Sequence, residues 1–445
     1  MSTRTGTSTR TRGGLLRRHR DFRLLWLGET TGRFGAAVTS VALPLIAVAS
    51  LDATTFEVGL LTAASWLPWL VVGLPVGVWV DRMRRRPVML GSAAVSLVLF
   101  ASVPVADRAG VLSVGLLLGV ALATGTAAVF FQTAYTAYLP SILGPEDQAE
   151  GNAKLHGSAS AAQIAGLGSG GLLAQAAGAV NGMFANAATS LVSLLCLGRI
   201  RHLEAPPPAL SPSSASHGRG ALATGIAEGL RLIAHDPWLR TLTLFAAASN
   251  LALMGYQSIG VVFLVREVGL TAGTVGILVA AVSAGGVVGA FAARRIAGRL
   301  GTARATLVCE LGLAVPALLM PATVAGPGVL LFVAGGFSVT AGVVAGNVVK
   351  AGFQQRYCPP ELLGRLTATT AFVSYGTIPL GALLGGVLGT ALGVREAMFV
   401  TAAGIPLAGL ILLFSPIART RDLPTTPPLR PGKTRQPDAV PAANS

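Results

Sequence analysis

The chain has 445 residues, of which 52% are hydrophobic and only 11% are charged. Soluble globular proteins carry about 25% charged residues, so this composition excludes an ordinary soluble enzyme. The formal net charge of +15 would suggest nucleic acid in a soluble domain. Here the cations cluster in the connections between apolar runs, so we predict a membrane protein with no nucleic-acid partner.

The apolar residues fall in long runs, each of the length that an α-helix needs to cross a bilayer. About 20 apolar residues span the roughly 30 Å hydrocarbon core. The runs predict an all-α membrane protein with twelve transmembrane helices, arranged as two six-helix bundles. The predicted spans are 24–50, 58–80, 87–106, 111–139, 155–178, 180–199, 239–264, 272–293, 304–324, 328–351, 366–391 and 396–416.

A change of composition between the sixth and seventh runs predicts the domain division. Residues 203–220 are rich in Pro, Ser and Gly and indicate a flexible linker, and residues 221–237 predict a short amphipathic helix on the inner membrane surface. The predicted division is an N-terminal tail, a first bundle, a linker, a second bundle and a disordered tail, at 1–23, 24–199, 200–238, 239–416 and 417–445.

The distribution of Lys and Arg predicts the orientation. With both termini on the same side, 29 of the 33 basic residues lie in or beside the segments of that side, and Arg108, Arg266 and Arg395 lie on the other. Cytoplasmic loops carry an excess of Lys and Arg. We therefore expect both termini to be cytoplasmic, in the plasma membrane of a bacterium.

The segment after the second run, Gly77 to Arg86, carries the most specific motif. It resembles the loop signature G-x-x-x-D-R-x-G-R-R of the major facilitator superfamily, although Arg84 stands where the family has Gly. In that family the motif forms a cytoplasmic gate, which the resemblance assigns to Gly77, Asp81, Arg82, Arg85 and Arg86; a cluster that only anchors the chain at the inner membrane interface is the alternative. The glycine is expected to permit close helix approach, and the acid is expected to accept hydrogen bonds from an Arg or a helix N-terminus.

A glycine-rich stretch in the fifth run resembles the antiporter motif G-P-x-x-G-G of the same superfamily. Gly166, Gly170 and Gly171 match, whereas Leu167 replaces the Pro, and plain helix packing is the alternative interpretation. Segments such as 22–26, 148–152 and 359–365 resemble the macrolide-efflux and enterobactin-export branch. The resemblance implies the major facilitator fold and export, without naming a substrate.

Ionisable residues at membrane depth are costly and mark functional sites. Glu29 and Arg33 are spaced i, i+4 in the first run, which predicts an ion pair that couples protons or meets a charged substrate group, with a purely structural neutral pair as the alternative. Glu310 in the ninth run is a candidate for the same role, with extension toward the inner interface as the alternative. Lys350 is expected to extend toward the cytoplasm.

Uncharged polar residues within the runs are candidates to line a central cavity, although each could instead bond a neighbouring helix. With few aromatic residues and many Ala, Gly and Val, such a cavity favours a hydrophobic or amphiphilic substrate over a sugar. No phosphate-binding loop, cofactor site or metal-ligand spacing occurs. The candidate cavity residues are Gln132, Gln163, Asn186, Asn250, Tyr256, Gln257 and Tyr375.

These observations predict a monomeric secondary transporter, not an enzyme, that exports a small organic molecule in exchange for protons. The cargo is expected to be a drug, an antibiotic, a siderophore or another secondary metabolite. An importer of a nutrient on the same fold is the alternative, and a membrane sensor or partner protein without transport is a further one.

Overall fold

A computed structural model describes residues 14–202, 204, 230–231, 233–358 and 360–425, which are almost entirely helical. Side chains 74, 78, 81, 360–365 and 368 lie outside that description. The described residues form twelve long helical segments: α1 Arg20–Ser50, α2 in two pieces Thr55–Val71 and Gly73–Asp81, α3 Arg85–Arg108, α4 Val114–Ile142, α5 Pro145–Ala177, α6 Ala179–Arg199, α7 Pro237–Glu267, α8 Ala272–Leu300, α9 Thr302–Leu319, α10 Gly326–Tyr357, α11 Pro360–Leu392 and α12 Val394–Leu413.

Each predicted span corresponds to one of these segments, and ten of the described helices are long and apolar enough to cross a membrane. The two exceptions have physical reasons. α2 is interrupted at Val72, with φ −109° and ψ −7°, because Pro75 has no N–H to bond the Val71 carbonyl. α5 is long enough, but Gly, Ser and Gln residues in its uncharged part, residues 160–177, lower its mean hydropathy.

Most spans begin or end a few residues away from their predicted limits; α8 and α10 end later, and α11 begins earlier, by six or seven residues. Two further differences concern α5 and α9. α5 begins at Pro145 rather than at 155, because Pro at the first position, followed by Glu146 and Asp147, is a strong helix start. α9 is α-helical only to Glu310 and continues from Gly312 to Leu319 as a 3-10 helix. Most of the predicted linker and amphipathic helix lies outside the described residues.

Successive helices alternate in direction, so the bundle has two ends. The terminal end is where α1 starts and α12 finishes, and it holds the α2–α3, α4–α5, α8–α9 and α10–α11 connections. The far end holds the α1–α2 connection after Ser50 and the α7–α8 connection after Glu267. Each long helix therefore runs from one end of the bundle to the other.

The first six helices and the last six helices, called here the first and second halves, meet along two glycine-lined seams. In the α2–α11 seam, a Cβ on Gly59 would lie 2.9 Å from the Cα of Gly386. In the α5–α8 seam, a Cβ on Gly171 would lie 2.6 Å from the Cα of Gly276. These distances are too short for a real Cβ, so the glycines allow close backbone packing at the far end.

Short segments at the terminal end attach to helix starts. Asp422 accepts hydrogen bonds at 2.8 Å from the Thr302 backbone N–H at the start of α9, and Leu423 is buried nearby. In the first half, Glu204 accepts from the Arg86 N–H in α3 at 3.4 Å. Residues 421–423 therefore lie against the start of α9, where Asp422 caps an otherwise unpaired N–H group. Residues 426–445, most of the tail that the sequence predicts to be disordered, lie outside the described residues.

Candidate functional site

A cavity of about 230 Å³ lies within the first half, lined by α1, α2, α3, α4 and α6. Most of its wall is small or aromatic, with a few hydroxyl groups and amides. Its polar centre is the side chains of Glu29 and Arg33, because every other described lining residue is uncharged. The lining includes Gly32, Ala36, Trp69, Ser92, Ser96, Phe100, Thr124, Phe131, Gln132, Asn186, Ser190 and Ser193.

Glu29 and Arg33 form the ion pair that their spacing predicts. The Arg33 Nε donates to Glu29 Oε1 at 2.6 Å, and a second guanidinium nitrogen donates to Gln132 Oε1 on α4 at 2.7 Å. Glu29 is only 7% exposed, whereas the Arg33 side chain is 43% exposed. The guanidinium thus neutralises the buried carboxylate and also presents a charged surface to the cavity.

The same three side chains line a second cavity, of about 310 Å³, that continues toward the terminal end between α1, α4 and α5. Its wall includes Gln148 and His156, which are polar residues of the terminal part of α5. Glu29 can therefore be approached from the terminal end through the first half itself.

A larger cavity, of about 420 Å³, lies within the second half between α7, α9, α10 and α11. Here Glu310 Oε1 and Lys350 Nζ form an ion pair at 2.6 Å, in which the Glu310 side chain is buried and the Lys350 side chain is 14% exposed. The Lys350 ammonium also lies 4.9 Å from the centroid of the Phe245 ring. The expectation that Lys350 extends toward the cytoplasm is therefore wrong, because a buried carboxylate on the neighbouring helix holds it inside the bundle.

An aromatic cluster joins the two halves between these cavities. The Trp69 ring of α2 and the Tyr375 ring of α11 have centroids 5.2 Å apart, and Trp66 stacks on Tyr375 at 6.4 Å. Trp69 lines the first-half cavity and Tyr375 lines the second-half cavity. The cluster, Trp66, Trp69 and Tyr375, is therefore a wall that the two cavities share.

The predicted polar residues divide between cavity and packing positions. Gln132 and Asn186 line the first-half cavity, and Asn250 and Tyr375 line the second-half cavity. Tyr256 is instead buried in an apolar core of the second half. Gln163 and Gln257 are exposed and line neither cavity.

The residues of the predicted gate occupy the turn from α2 to α3. Arg86 donates from Nε to the Leu197 carbonyl at 3.0 Å and from a terminal nitrogen to the Gly198 carbonyl at 2.6 Å, so it binds the C-terminal end of α6. Arg82 is exposed and Arg85 is half-buried. The Asp81 side chain lies outside the described part of the chain.

The glycines of the two motifs differ in their packing. A Cβ on Gly77 would meet no described atom within 4 Å, so the expected close helix approach is not present at this position. In α5, a Cβ on Gly166 would lie 2.6 Å from the Phe34 carbonyl oxygen, and one on Gly170 would lie 3.0 Å from that of Val38. Gly166 and Gly170 therefore seat α5 against α1, while Gly171 forms the seam with α8.

Sequence reasoning missed the Lys350 partner of Glu310, the Phe245 ring and the two tryptophans of the shared wall. Phe and Trp in apolar helices carry no signal of their own, because the same residues are typical of lipid-facing and core positions. The arrangement provides two charge-paired cavities on either side of one aromatic wall, at about the middle depth of the helices.

Comparisons with known proteins agree with this architecture. Residues 25–375 match the family model of the Major Facilitator Superfamily. The multidrug efflux pump Tap of Mycolicibacterium fortuitum is 29% identical over 419 residues, which cover 91% of this chain and 98% of that protein. The enterobactin exporter EntS of Salmonella typhimurium is 24% identical, with coverage of 93% and 96%.

Solved structures share the fold at low sequence identity. The nucleoside transporter NupG matches with a TM-score of 0.72 at 10% identity, over 88% of this chain and 98% of that one. A bacterial homologue of the iron transporter ferroportin matches with a TM-score of 0.72 at 15% identity, over 90% and 99%.

Proposed function

The chain belongs to the major facilitator superfamily, as its sequence motifs predict, and on that premise we propose that it is an exporter driven by protons. It is a multi-pass membrane protein that acts as a transporter rather than an enzyme. The proposed cargo is a small amphiphilic or hydrophobic organic molecule such as a drug, an antibiotic or a siderophore. The efflux and export activities named for Tap and EntS support this direction of transport.

The observation that carries the proposal is the Glu29–Arg33 pair in an otherwise uncharged cavity. The Glu29 carboxylate is 7% exposed, is paired with Arg33 and lines both cavities of the first half, so it is a candidate proton carrier inside the membrane-spanning region. In the proposed cycle, Glu29 releases its proton on the cytoplasmic side and takes up another from outside before the cavity turns inward again.

We propose that the terminal end faces the cytoplasm. The excess of Lys and Arg at this end supports the assignment through the positive-inside rule. The glycine seams and an ion pair of 2.8 Å between Asp52 and Arg266 join the halves at the far end. The described state then corresponds to an inward-facing transporter, with its external side closed.

The proposed gate acts at the α2–α3 turn. Arg82 is exposed and available for contact, whereas Arg86 is committed to the end of α6. In the proposed outward-facing state, Asp81, Arg82 and Arg85 contact the second half and close the cytoplasmic side. Arg86 then ties the moving turn to the rest of the first half.

Transport in membrane vesicles of known orientation tests the direction. The full chain is expressed in cells that lack their own major drug exporters, and uptake of ethidium and of a radiolabelled macrolide is measured with an imposed proton gradient. Accumulation in inside-out vesicles that disappears with an uncoupler supports proton-driven export. Accumulation only in right-side-out vesicles would establish the importer instead.

The alternative of a sensor or partner protein without transport is tested by truncation. Residues 426–445 follow the segment that caps α9, so removing them leaves Asp422 in place. A transporter keeps its vesicle activity after this truncation. A sensor or partner protein that acts through its tail shows no vesicle transport with or without residues 426–445, although its helical bundle is folded in both forms.

A further inference from the structure

We propose that Glu310 and the Phe245 ring form a binding site for the cationic group of a monovalent organic substrate, and that Lys350 is a built-in ammonium that occupies this site until substrate displaces it. The inference deepens the proposed export function by naming a substrate class. It rests on that function for its biological meaning, but the site itself can be measured by binding alone.

The first support is the geometry around the lysine. Its Nζ lies 2.6 Å from Glu310 Oε1 and 4.9 Å from the Phe245 ring centroid. A carboxylate and an aromatic face are the two groups that bind organic cations in low-dielectric sites. The lysine ammonium therefore marks the place that a substrate cation would take.

The second support is that the Glu310 carboxylate is held in place, whereas the Lys350 side chain can move. Glu310 is 4% exposed, and its carboxylate lies where a Cβ on residue 346 would be, 2.1 Å from Oε1. Gly346 thus leaves a fitted space for the acid. Lys350 has a flexible four-carbon stem about two turns before the end of α10, so its ammonium can swing toward the terminal end and its water.

The third support is the charge balance of the cavity. Among the described residues that line it, only Glu310 and Lys350 are charged. One carboxylate pairs well with one cation, and a second cation in the same buried site would be left uncompensated. A substrate cation must therefore replace the lysine rather than join it, and Ser249, Asn250 and Gln354 on the wall can accept hydrogen bonds from the departing ammonium.

The first experiment replaces the built-in ammonium by a free one. In the purified full-length chain, Lys350→Ala removes the ammonium and most of its stem, and n-butylammonium chloride is the probe. Thermal unfolding is expected to shift upward by at least about 2 °C for Lys350→Ala and not for the unmodified chain. n-Butanol is the neutral control of similar size, and the Glu310→Gln/Lys350→Ala double variant should not respond to n-butylammonium.

The proposed binding site is wrong if n-butylammonium does not stabilise Lys350→Ala, or if n-butanol stabilises it equally. If Lys350→Ala does not fold, a second variant decides the question. Lys350→Met keeps the volume of the stem without its charge, and the affinity of the purified protein for tetraphenylphosphonium is then measured directly.

Tetraphenylphosphonium should bind Lys350→Met about tenfold more tightly than the unmodified chain, because its competitor is gone, and Glu310→Gln should lose this binding. Phe245→Leu should weaken it about threefold, whereas Phe184→Leu should not, although the Phe184 ring also faces a cation, Arg108. Triphenylphosphine oxide, which is neutral, should bind all of these variants equally. Unchanged or weaker tetraphenylphosphonium binding by folded Lys350→Met would contradict the proposal.

Failure of this site and failure of the export function give different results. If the cations bind as expected but vesicles export no compound, the binding site stands and the export function is wrong. If vesicles export a substrate but substitutions of Glu310 and Lys350 change the binding of neither n-butylammonium nor tetraphenylphosphonium, the export function stands and the binding site is wrong.

Discussion

The two halves of the molecule hold their buried charges in different ways. In the first half, Glu29 and Arg33 lie one turn apart on a single helix, so the helix itself keeps them together. In the second half, Glu310 and Lys350 come from α9 and α10, and only a lysine rotamer keeps them in contact. The two charged positions of the first pair therefore stay together when the helices move, whereas those of the second pair lie on two helices and can be separated.

This difference favours different roles for the two cavities, proton coupling in the first half and binding of a cation in the second. A fixed pair suits a site that changes only its protonation, because its geometry survives each cycle. An exchangeable pair suits a site that accepts an external cation. The following predictions, from the largest expected effect to the smallest, would break or sharpen this contrast.

The largest effect is expected from breaking the second-half pair. Lys350→Met alone leaves the buried Glu310 carboxylate unpaired, which costs about 3–5 kcal/mol of stability. Glu310→Gln should cost less, because the Lys350 side chain is 14% exposed and its ammonium can turn toward water. The double variant Glu310→Gln/Lys350→Met should recover most of this loss. Thermal and denaturant unfolding in detergent measure the stability of the single and double variants.

Arg33→Gln should cost less stability, because the Arg33 side chain is 43% exposed and its loss leaves Glu29 within reach of water. An equal loss of stability would remove the difference between the two halves.

Proton coupling should depend on the first half more strongly than on the second. Glu29→Gln replaces a carboxyl group by an amide that cannot carry a proton, so proton-driven export of a neutral substrate should fall at least about tenfold. Glu310→Gln should leave export of that neutral substrate within about twofold. Asp107→Asn, at an exposed acid of α3, is the matched control. If Glu29→Gln exports normally, the assignment of the coupling residue is wrong.

The far-end seams should respond to one added methyl group. Gly276→Ala places a Cβ 2.7 Å from the Cα of Gly171, which opposes closure of the α5–α8 seam. We expect a shift of about tenfold, or about 1.4 kcal/mol, toward the state closed at the terminal end. Maleimide labelling of Ala159→Cys, at the mouth of the first half, measures it in a background without the native cysteines, Cys196, Cys309 and Cys358.

The control for this seam is Gly91→Ala in α3, where an added Cβ would meet no described atom within 4 Å. Its labelling rate should equal that of the parent. A faster rate for Gly276→Ala than for the parent would mean that the methyl group favours the inward-facing state, opposite to the expectation.

The smallest effect is expected at the two helix caps of the terminal end, one in each half. Asp422→Ala removes a side chain that accepts from the α9 N-terminus at 2.8 Å and should cost about 1 kcal/mol of stability. Glu204→Ala should cost less, because its contact with the α3 N-terminus is 3.4 Å long. Denaturant unfolding of the two single variants compares them, and a larger cost for Glu204→Ala would reverse the order.

The sequence predicted what is local and missed what depends on the register between helices. The Glu29–Arg33 pair follows from an i, i+4 spacing that any α-helix brings together. The Glu310–Lys350 pair joins two helices, and no pattern in either helix says which faces meet. Membrane helices have no hydrophobic gradient between helix faces to fix their rotation, so small residues such as Gly346 decide it. The start of α5 was missed for another reason, since its acidic first turn resembles a loop in hydropathy.

The kink at Val72 has a mechanical consequence for the entrance. Trp66 and Trp69 lie before it, in the piece of α2 that packs against α11, and the basic turn that ends at Arg86 lies after it. A bend at this joint would move the turn before Arg86 without moving the aromatic cluster. We therefore expect the opening at the terminal end to change its width independently of the shared wall.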